Sequence, residues 1–361
     1  MADKLNAYRG CLLGLAVGDA MGMPVDDMTW GEIQESYGPH GLLGYDLRSD
    51  FAEITSYTQV AAYICNALLL SVSRGKGSQY LDFVKLGLKE WTRSQQFARD
   101  PEGSYCWVAK LPAFRRRYCR DARMLDTLRL AAMGFPEKGP NKYNTPGSLT
   151  AAVAVGMFYN PERLTPPQIG DLAVRIVGLT HGDPCAFLSA AVLAYAITGI
   201  LMEPELSLDE QFTAAIAAVD HQFRSKYSET YTVTATLSVA VERAKAAEPM
   251  GQVMESLQCY SAMNCLAGAI YAAIANSEDF DTAMITAVNH SGYSSAVAGI
   301  TGAILGAKMG HNALPDFYLE SLEPVKELCQ LADDMLSGTP DKGIFDDDWD
   351  QKYVQGTPLG M

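Results

Sequence analysis

Residues 289–310 read NHSGYSSAVAGITGAILGAKMG, and the glycines of this stretch predict how one helix packs. Four of them recur at intervals of three or four residues, which places them on one helix face: Gly299, Gly302, Gly306 and Gly310. A second stripe near the N-terminus comprises Gly10, Gly14 and Gly18. Glycine inside a helix costs about 1 kcal/mol relative to alanine, so each stripe indicates close contact with a neighbouring element that offsets this cost.

Apolar and small residues recur with helical spacing along the whole chain, whereas alternating strand patterns are scarce. The predicted helices cover residues 7–21, 58–74, 80–95, 123–133, 148–158, 167–179, 183–200, 208–223, 233–246, 262–275, 279–288, 295–309 and 315–336. Stretches rich in Gly and Pro, such as SRGKGSQY and NPERLTPP, end helices, but none is typical of a domain linker. The sequence therefore predicts an all-α fold, with one compact helical domain over residues 1–361 and an acidic C-terminal tail from about residue 340.

The composition and net charge of the chain indicate which classes of binding partner are not expected. Of the 361 residues, 48% are hydrophobic and 19% are charged, which is enough for a sizeable core. The net charge of -14 disfavours binding to nucleic acid and to anionic membranes, so neither partner is expected. The densest run of charge comprises Asp346, Asp347, Asp348 and Asp350, and is interpreted as a solvated tail.

Eight cysteines are scattered along the chain without a CxxC pair, which is typical of buried free thiols in a reducing compartment. The N-terminal residues MADKLNAYRG lack the apolar region of a signal peptide. No apolar run is expected to reach the roughly 18 to 20 residues that span a bilayer. A cytoplasmic location is therefore predicted.

The chain contains no GxSxG, GxxxxGK[ST] or HExxH pattern, so common hydrolase classes lose their main support. Short polar stretches at helix ends remain as candidates. His181 is interpreted as a structural histidine, with Asp183 capping the next helix, and His290 is treated in the same way. Asp19 differs because it lies in an apolar helix, where a buried carboxylate needs partners. Asp26 follows Pro24 in a loop, where solvated residues are common.

Six stretches, in order, carry a resemblance that covers almost the whole chain: GCLLGLAVGDAMGMPVD, ITSYTQVAAYICNALL, DTLRLAAMG, PNKYNTPGSLTAAVAVGMF, LTHGDPCAFLSAAVLAYAI and NHSGYSSAVAGITGAILGAKMG. Together they resemble the ADP-ribosylglycohydrolase family, which includes the activating glycohydrolase of dinitrogenase reductase. The resemblance implies an all-helical domain that cleaves the bond between ADP-ribose and a protein side chain, or a related linkage. It also implies two Mg²⁺ or Mn²⁺ ions as cofactors.

The metal-binding motifs of that family are altered here. Thr55-Ser56-Tyr57-Thr58 stands where the family reads T-D-D-T, and residues 292–296, GYSSA, stand for G-D-x-D-[ST]. All four aspartates are replaced, and of the usual ligands only Thr55 is retained. Asp26 occupies the place of an acidic residue, usually glutamate. Residues 147–151, GSLTA, stand for G-x-x-M-R, so the arginine is absent as well.

Neutral hydroxyls do not replace four negative charges around Mg²⁺ or Mn²⁺, so no metal cofactor is expected. The residues expected to bind a ligand are Thr55, Ser56, Tyr57, Gly147, Ser148, His181, His290, Gly292, Tyr293 and Ser295. Asp26 and Asp19 are the candidate catalytic residues. Tyr57 and Tyr293 are expected to fill the vacated volume, with their phenols hydrogen-bonded to Ser56, Ser295 or His290.

Three functional hypotheses follow. The favoured one is a metal-free pseudoenzyme that binds ADP-ribose, a related nucleotide or an ADP-ribosylated protein. The second is an active, metal-independent hydrolase in which Asp26 or Asp19 acts as acid or base, assisted by His181 or His290. The third is a structural or regulatory interaction protein with a plugged cleft.

Overall fold

The computed structural model describes residues 2–47, 49–73, 79–96, 103–132, 141–340 and 346–354. Within these residues α-helices form nearly all of the regular structure, and the only β pairing consists of two isolated bridges, Ala52 with Leu322 and Cys259 with Gly292. The helices are α1 (Ala2–Gly22), α2 (Trp30–Tyr37), α3 (Ser56–Ser73), α4 (Tyr80–Gln96), α5 (Ala122–Ala132), α6 (Gly147–Phe158), α7 (Pro166–Val177), α8 (Pro184–Met202), α9 (Leu208–Phe223), α10 (Thr230–Lys245), α11 (Met250–Leu257), α12 (Ala262–Ala275), α13 (Phe280–Val288), α14 (Ser294–Met309), α15 (Asp316–Ser321), α16 (Val325–Ser337) and α17 (Asp347–Tyr353). The all-α prediction is confirmed.

The centre of the fold is the contact between α1 and α14, and the glycine stripes make it possible. A Cβ atom added to Gly14 would overlap the carbonyl oxygen of Gly302, and one added to Gly302 would overlap that of Gly14. Gly10 and Gly306 face each other in the same way. The two stripes therefore pack directly on each other and bring the two backbones into contact. This contact places the C-terminal end of α1 beside the first turn of α14.

The helix predictions hold closely where periodicity is strong and fail where helices are short. The predicted helices 208–223 and 262–275 match α9 and α12. The predicted helix 315–336 is two helices, α15 and α16, because Pro324 interrupts the pattern and stands at the start of α16. The helices α2, α11 and α17, of seven or eight residues each, were not predicted. The predicted ends at residues 74 and 133 lie outside the described residues.

One prediction about apolar segments is wrong. Among the described residues, Pro184–Met202 is a helix of 19 residues with a mean hydropathy of 2.1, which is long and apolar enough to cross a membrane. This helix ends at Met202, whereas the predicted helix ended at Ile200. Inside the fold, 78% of its most apolar window is buried, and α8 packs against α6, α7 and α9. A helix that is buried to this extent inside the fold packs as a core helix.

All eight cysteines are free thiols. Five are buried, as predicted, and three are only partly buried: Cys119, Cys185 and Cys329. Burial raises the pKa of Cys119 and of Cys185 to about 11, so both thiols are protonated at neutral pH.

The described part of the predicted acidic tail, Asp346–Val354, is docked on the protein. Its aspartates face solvent to a large extent, but Trp349 and Tyr353 are buried. Trp107 donates a hydrogen bond to the Tyr353 hydroxyl (3.1 Å), which in turn donates to Asp334 (2.7 Å). Residues 341–345 and 355–361 lie outside the described residues.

Candidate functional site

Asp19 caps the N-terminus of α3 from inside the core. Its carboxylate is fully buried and accepts hydrogen bonds from the backbone N–H groups of Thr55 (2.9 Å) and Thr58 (3.1 Å). It also accepts from the hydroxyls of both threonines, each at 2.6 Å. Burial raises the pKa of Asp19, although these four hydrogen bonds oppose the increase. The structure thus supplies the partners that a buried carboxylate in an apolar helix requires.

Asp26 links the end of α1 to the first turn of α14. Its Oδ1 accepts a hydrogen bond from the backbone N–H of Ser295 (2.8 Å), and its Oδ2 accepts from Arg120 Nε (2.8 Å). Arg120 Nη2 lies 2.7 Å from the same Oδ2. Burial raises the pKa of Asp26 to about 6, and the Arg120 charge and the Ser295 N–H limit the increase. The interpretation of Asp26 as a solvated loop residue is therefore wrong, because its side chain is buried and ion-paired.

A third carboxylate, Asp121, was not predicted from the sequence. Its Oδ2 accepts hydrogen bonds from the Thr145 hydroxyl (2.6 Å) and from the backbone N–H of Gly147 (3.2 Å), and lies 3.3 Å from His181 Nε2. Its Oδ1 accepts from the N–H of Met124 (2.9 Å). Burial opposes ionisation, but the hydrogen bonds from His181 and Thr145 hold the pKa of Asp121 below its usual value. Asp121 thereby accepts one backbone N–H at the start of α6 and one in the first turn of α5.

His181 is fully buried and has a partner at each ring nitrogen. Nδ1 lies 2.8 Å from the Thr180 hydroxyl, and Nε2 lies 2.9 Å from the Thr145 hydroxyl. Asp183 caps α8 through a hydrogen bond from the N–H of Cys185 (2.8 Å). The prediction that Asp183 caps the next helix is confirmed, and the two ring partners of His181 are compatible with its interpretation as a structural histidine.

Several buried hydroxyls of the site have no hydrogen-bond partner among the residues that the structure describes. They belong to Tyr57, Ser294 and Ser295, at the first turns of α3 and α14. Burial and then the charges of Asp26 and Asp121 raise the pKa of Tyr57 well above its usual value, so its phenol is protonated at neutral pH. The predicted hydrogen bonds from the Tyr57 phenol are wrong, since this hydroxyl has no partner.

The remaining predicted residues lie around the same helix ends. Ser56 accepts a hydrogen bond from the Arg120 N–H (2.8 Å), and Ser148 donates within its own turn to the Thr145 carbonyl (3.1 Å). His290 is buried and contacts the Ser291 carbonyl through Nδ1 (3.1 Å), and burial lowers its pKa. Gly292 adopts a positive φ of 130°, and an added Cβ would approach the Cys259 carbonyl within 2.5 Å, so only glycine fits there.

The exposed or partly buried residues beside these helix ends, which we call the rim, are aromatic and basic: Arg120, Arg123, Tyr143, Tyr260 and Tyr293. Tyr293 is half-buried and makes an edge-to-face contact with the exposed Tyr260, with ring centroids 6.1 Å apart. The guanidinium of Arg123 lies over the ring of Tyr143 at 5.4 Å. Arg120 reaches the rim as well, with a side chain that is 27% exposed. Arg120, Asp121, Thr145 and Ser294 were missed in the sequence because only Ser294 belongs to an altered family motif, and there at its variable position.

The carboxylates do not fit the pair of divalent cations that the family resemblance implies. Both oxygens of Asp19 and both oxygens of Asp26 already accept hydrogen bonds from protein donors. Arg120 places a positive charge on Asp26, where it would repel a cation. In the part of the chain that the structure describes, no group of three or more His, Cys, Asp or Glu side chains is arranged to hold a metal ion.

Comparisons with known proteins agree with the fold. The family model described as ADP-ribosylglycohydrolase matches residues 1–343. A protein of Archaeoglobus fulgidus, described as uncharacterized, is 25% identical over 337 residues and covers 90% of this chain and 94% of its own length. A solved structure titled "ADP-ribosylglycohydrolase-related protein complex" superimposes with a TM-score of 0.63 and 23% identity, over 94% of this chain and all of its own. That likeness concerns the fold.

Proposed function

Because the chain belongs to the ADP-ribosylglycohydrolase family, we propose that it uses the family cleft to bind ADP-ribose or a related nucleotide without a pair of divalent cations. The proposal rests on the hydrogen bonds that the carboxylates of the site accept from the protein. Protein donors occupy the oxygens of Asp19, Asp26 and Asp121, which therefore serve as helix caps and ion-pair partners. A metal-activated water has no ligand set at this position, so the usual hydrolysis is expected to be lost.

The unpartnered hydroxyls favour a ligand rich in hydroxyl groups. A buried polar atom without a partner costs about 1 to 3 kcal/mol, and this cost is recovered when a ligand supplies the partner. Tyr57, Ser294 and Ser295 each offer a neutral hydroxyl that can donate or accept. A ribose carries the complementary groups. At the rim, the rings of Tyr260 and Tyr293 suit a base, and the guanidinium group of Arg123 suits phosphate.

The test compares two tyrosines of the same helix. Tyr57→Phe removes a hydroxyl that has no protein partner, so the stability of the free protein is expected to stay the same or rise. If the hydroxyl binds the ligand, the Kd for ADP-ribose rises about three- to tenfold, which is the worth of one hydrogen bond. Tyr63→Phe removes a buried hydroxyl further along α3 and is the control. Calorimetric titration with ADP-ribose measures the Kd of both variants, once in EDTA and once in Mg²⁺.

Equal affinities in EDTA and in Mg²⁺ are expected for a metal-free site. Binding that requires Mg²⁺ contradicts the proposal. If neither the wild-type protein nor the variants respond to ADP-ribose, the cleft is plugged, and the third hypothesis of a structural or regulatory protein replaces this one.

A metal-independent hydrolase is the second candidate, and the pKa of Asp26 favours it. A carboxyl with a pKa of about 6 exchanges its proton near neutral pH, as a general acid or base must. Release of ADP-ribose from ADP-ribosylated arginine, measured with EDTA present, tests this candidate. Activity that disappears in Asp26→Asn supports it, and no release from the wild-type protein favours the pseudoenzyme.

We further infer a cytoplasmic location, an ADP-ribosylated protein as a source of the ligand, and no nucleic-acid or membrane partner. Free thiols along the chain support a reducing compartment. The net charge of -14 supports the exclusion of nucleic acid and anionic lipid. Fractionation of cells, followed by detection of the protein, tests the location.

A further inference from the structure

Arg120 connects the two segments whose aspartates are replaced. Its backbone N–H donates to the Ser56 hydroxyl (2.8 Å), at the first residue of α3. Its guanidinium holds Asp26 through Nε (2.8 Å) and Nη2 (2.7 Å). Asp26 in turn accepts from the N–H of Ser295 (2.8 Å) in the first turn of α14. Ser56 and Ser295 are two of the four positions where the resemblance places a metal-binding aspartate.

We propose that Arg120 is the positioning residue of this site, and that it takes over the structural part of the missing cations by holding the first turns of α3 and α14 together, through its backbone N–H on Ser56 and its guanidinium on Asp26. The carboxylate of Asp26 carries the link, because each of its oxygens serves one side. Asp27 adds a weaker contact, 3.9 Å from Arg120 Nη2. The proposal depends on the metal-free state proposed above and is independent of which ligand the site binds.

The chemistry of arginine suits this task. A guanidinium is planar, always charged and able to donate several hydrogen bonds in fixed directions. A lysine would supply the charge but not two directed contacts to Asp26 together with partial burial. Asp26 has a side chain that is 0% exposed, so without a cation its charge would be buried and uncompensated. The loss of the ions and the presence of Arg120 therefore belong together.

Arg116 offers a matched control on the same segment. Its guanidinium contacts Glu323 (3.2 Å from Nη2) and Glu53 (3.5 Å from Nε), and its side chain is 28% exposed against 27% for Arg120. If Arg120 contributes only an ordinary ion pair, then its replacement by alanine has the same effect as the replacement of Arg116 by alanine. A positioning residue affects α3 and α14 together, which is expected of Arg120 alone.

Hydrogen exchange of the ligand-free protein tests the proposal directly. In Arg120→Ala, amide protection is expected to fall at least about tenfold in both segments, residues 54–58 and 292–297, because the link through Asp26 is broken. In Arg116→Ala, protection of these two segments together is expected to stay within about twofold of the wild type. Unchanged protection in Arg120→Ala, or the same loss in Arg116→Ala, overturns the proposal.

A double variant guards against simple unfolding. If the damage in Arg120→Ala comes from the uncompensated charge of Asp26, then Arg120→Ala with Asp26→Asn is more stable than Arg120→Ala alone, by at least about tenfold in the unfolding equilibrium constant. Arg120→Lys, which retains the charge, is expected to lie between the wild type and Arg120→Ala. A double variant no more stable than Arg120→Ala overturns the proposal.

Affinity for ADP-ribose separates this proposal from the proposed function. If the wild-type protein binds ADP-ribose, Arg120→Ala is expected to raise the Kd at least about tenfold. Arg116→Ala is expected to raise it less than about twofold. If the wild-type protein does not bind it, the proposed function fails, while exchange and the double variant still decide the role of Arg120. Normal affinity in an Arg120→Ala protein that has lost protection in both segments overturns the positioning role.

Discussion

Replacement of Asp19 distinguishes a helix cap from a catalytic carboxylate. In Asp19→Ala, the buried N–H groups of Thr55 and Thr58 lose their acceptor, as do the two threonine hydroxyls. Each unsatisfied buried N–H costs about 1 to 3 kcal/mol, whereas the hydroxyls can rotate toward other acceptors. Relief of the buried charge offsets part of the loss, because burial raises the pKa of Asp19. We expect a net loss of about 3 kcal/mol in the free energy of unfolding.

Asp19→Asn is the matched substitution. Its amide oxygen can take the place of Oδ2, which accepts from Thr55 N, Thr58 N and Thr58 Oγ1. Its NH₂ group then faces Thr55 Oγ1, which can rotate and accept. The expected loss is therefore below about 1 kcal/mol. Urea denaturation at pH 7 measures both variants. An alanine variant as stable as the wild type, or an asparagine variant as unstable as the alanine variant, refutes this account of Asp19.

Three further predictions concern packing, pH and the C-terminal helix. Gly14→Ala places a Cβ atom on the Gly302 carbonyl, and urea denaturation should show a loss of about 3 kcal/mol or more; a loss under 1 kcal/mol contradicts the close contact of α1 with α14. Folded Asp26 binds its proton more tightly than the unfolded residue, so stability falls as pH rises from about 4 to about 6. Relative to Asp26→Asn, denaturation across this range should show a loss of about 3 kcal/mol, and parallel pH profiles contradict it. Tyr353→Phe removes the hydrogen bond to Asp334, and the free energy of unfolding is expected to fall by about 1.5 to 3 kcal/mol. Thermal unfolding measures this loss, and an unchanged midpoint contradicts the docking of α17.

The replacements of metal-binding aspartates that the family resemblance implies are consistent as a set of changes. Carboxylates that face one another without cations repel and carry a desolvation cost, so the loss of one metal ligand favours the loss of the others. The remaining acids each have a protein partner. Asp26 has Arg120, Asp121 has His181 and Thr145, and Asp19 has the first turn of α3.

How much of the site could be read from the sequence depends on the distance over which each contact acts. The replacement of the family's aspartates is a prediction from the sequence, because the order of six motifs indicates which positions correspond to the family. His181 with Asp183 was visible as well, because the cap is local. Arg120 and Asp26 are 94 residues apart, and no local pattern marks arginine as the partner of that carboxylate. The phenol of Tyr57 was assigned partners that its position in α3 does not supply.

The sequence by itself determined the helical class and the two glycine stripes, and the family resemblance that it carries predicts the absence of acidic metal ligands. Each of these follows from local periodicity or from the chemistry of single side chains. Only the tertiary structure decided that Gly14 packs on Gly302, that Asp19 and Asp26 accept backbone N–H groups at the starts of α3 and α14, and that Arg120 pairs with Asp26. Contacts of this kind join residues far apart in the chain. They form when the helices pack, since the position of each donor depends on the surfaces of several helices at once.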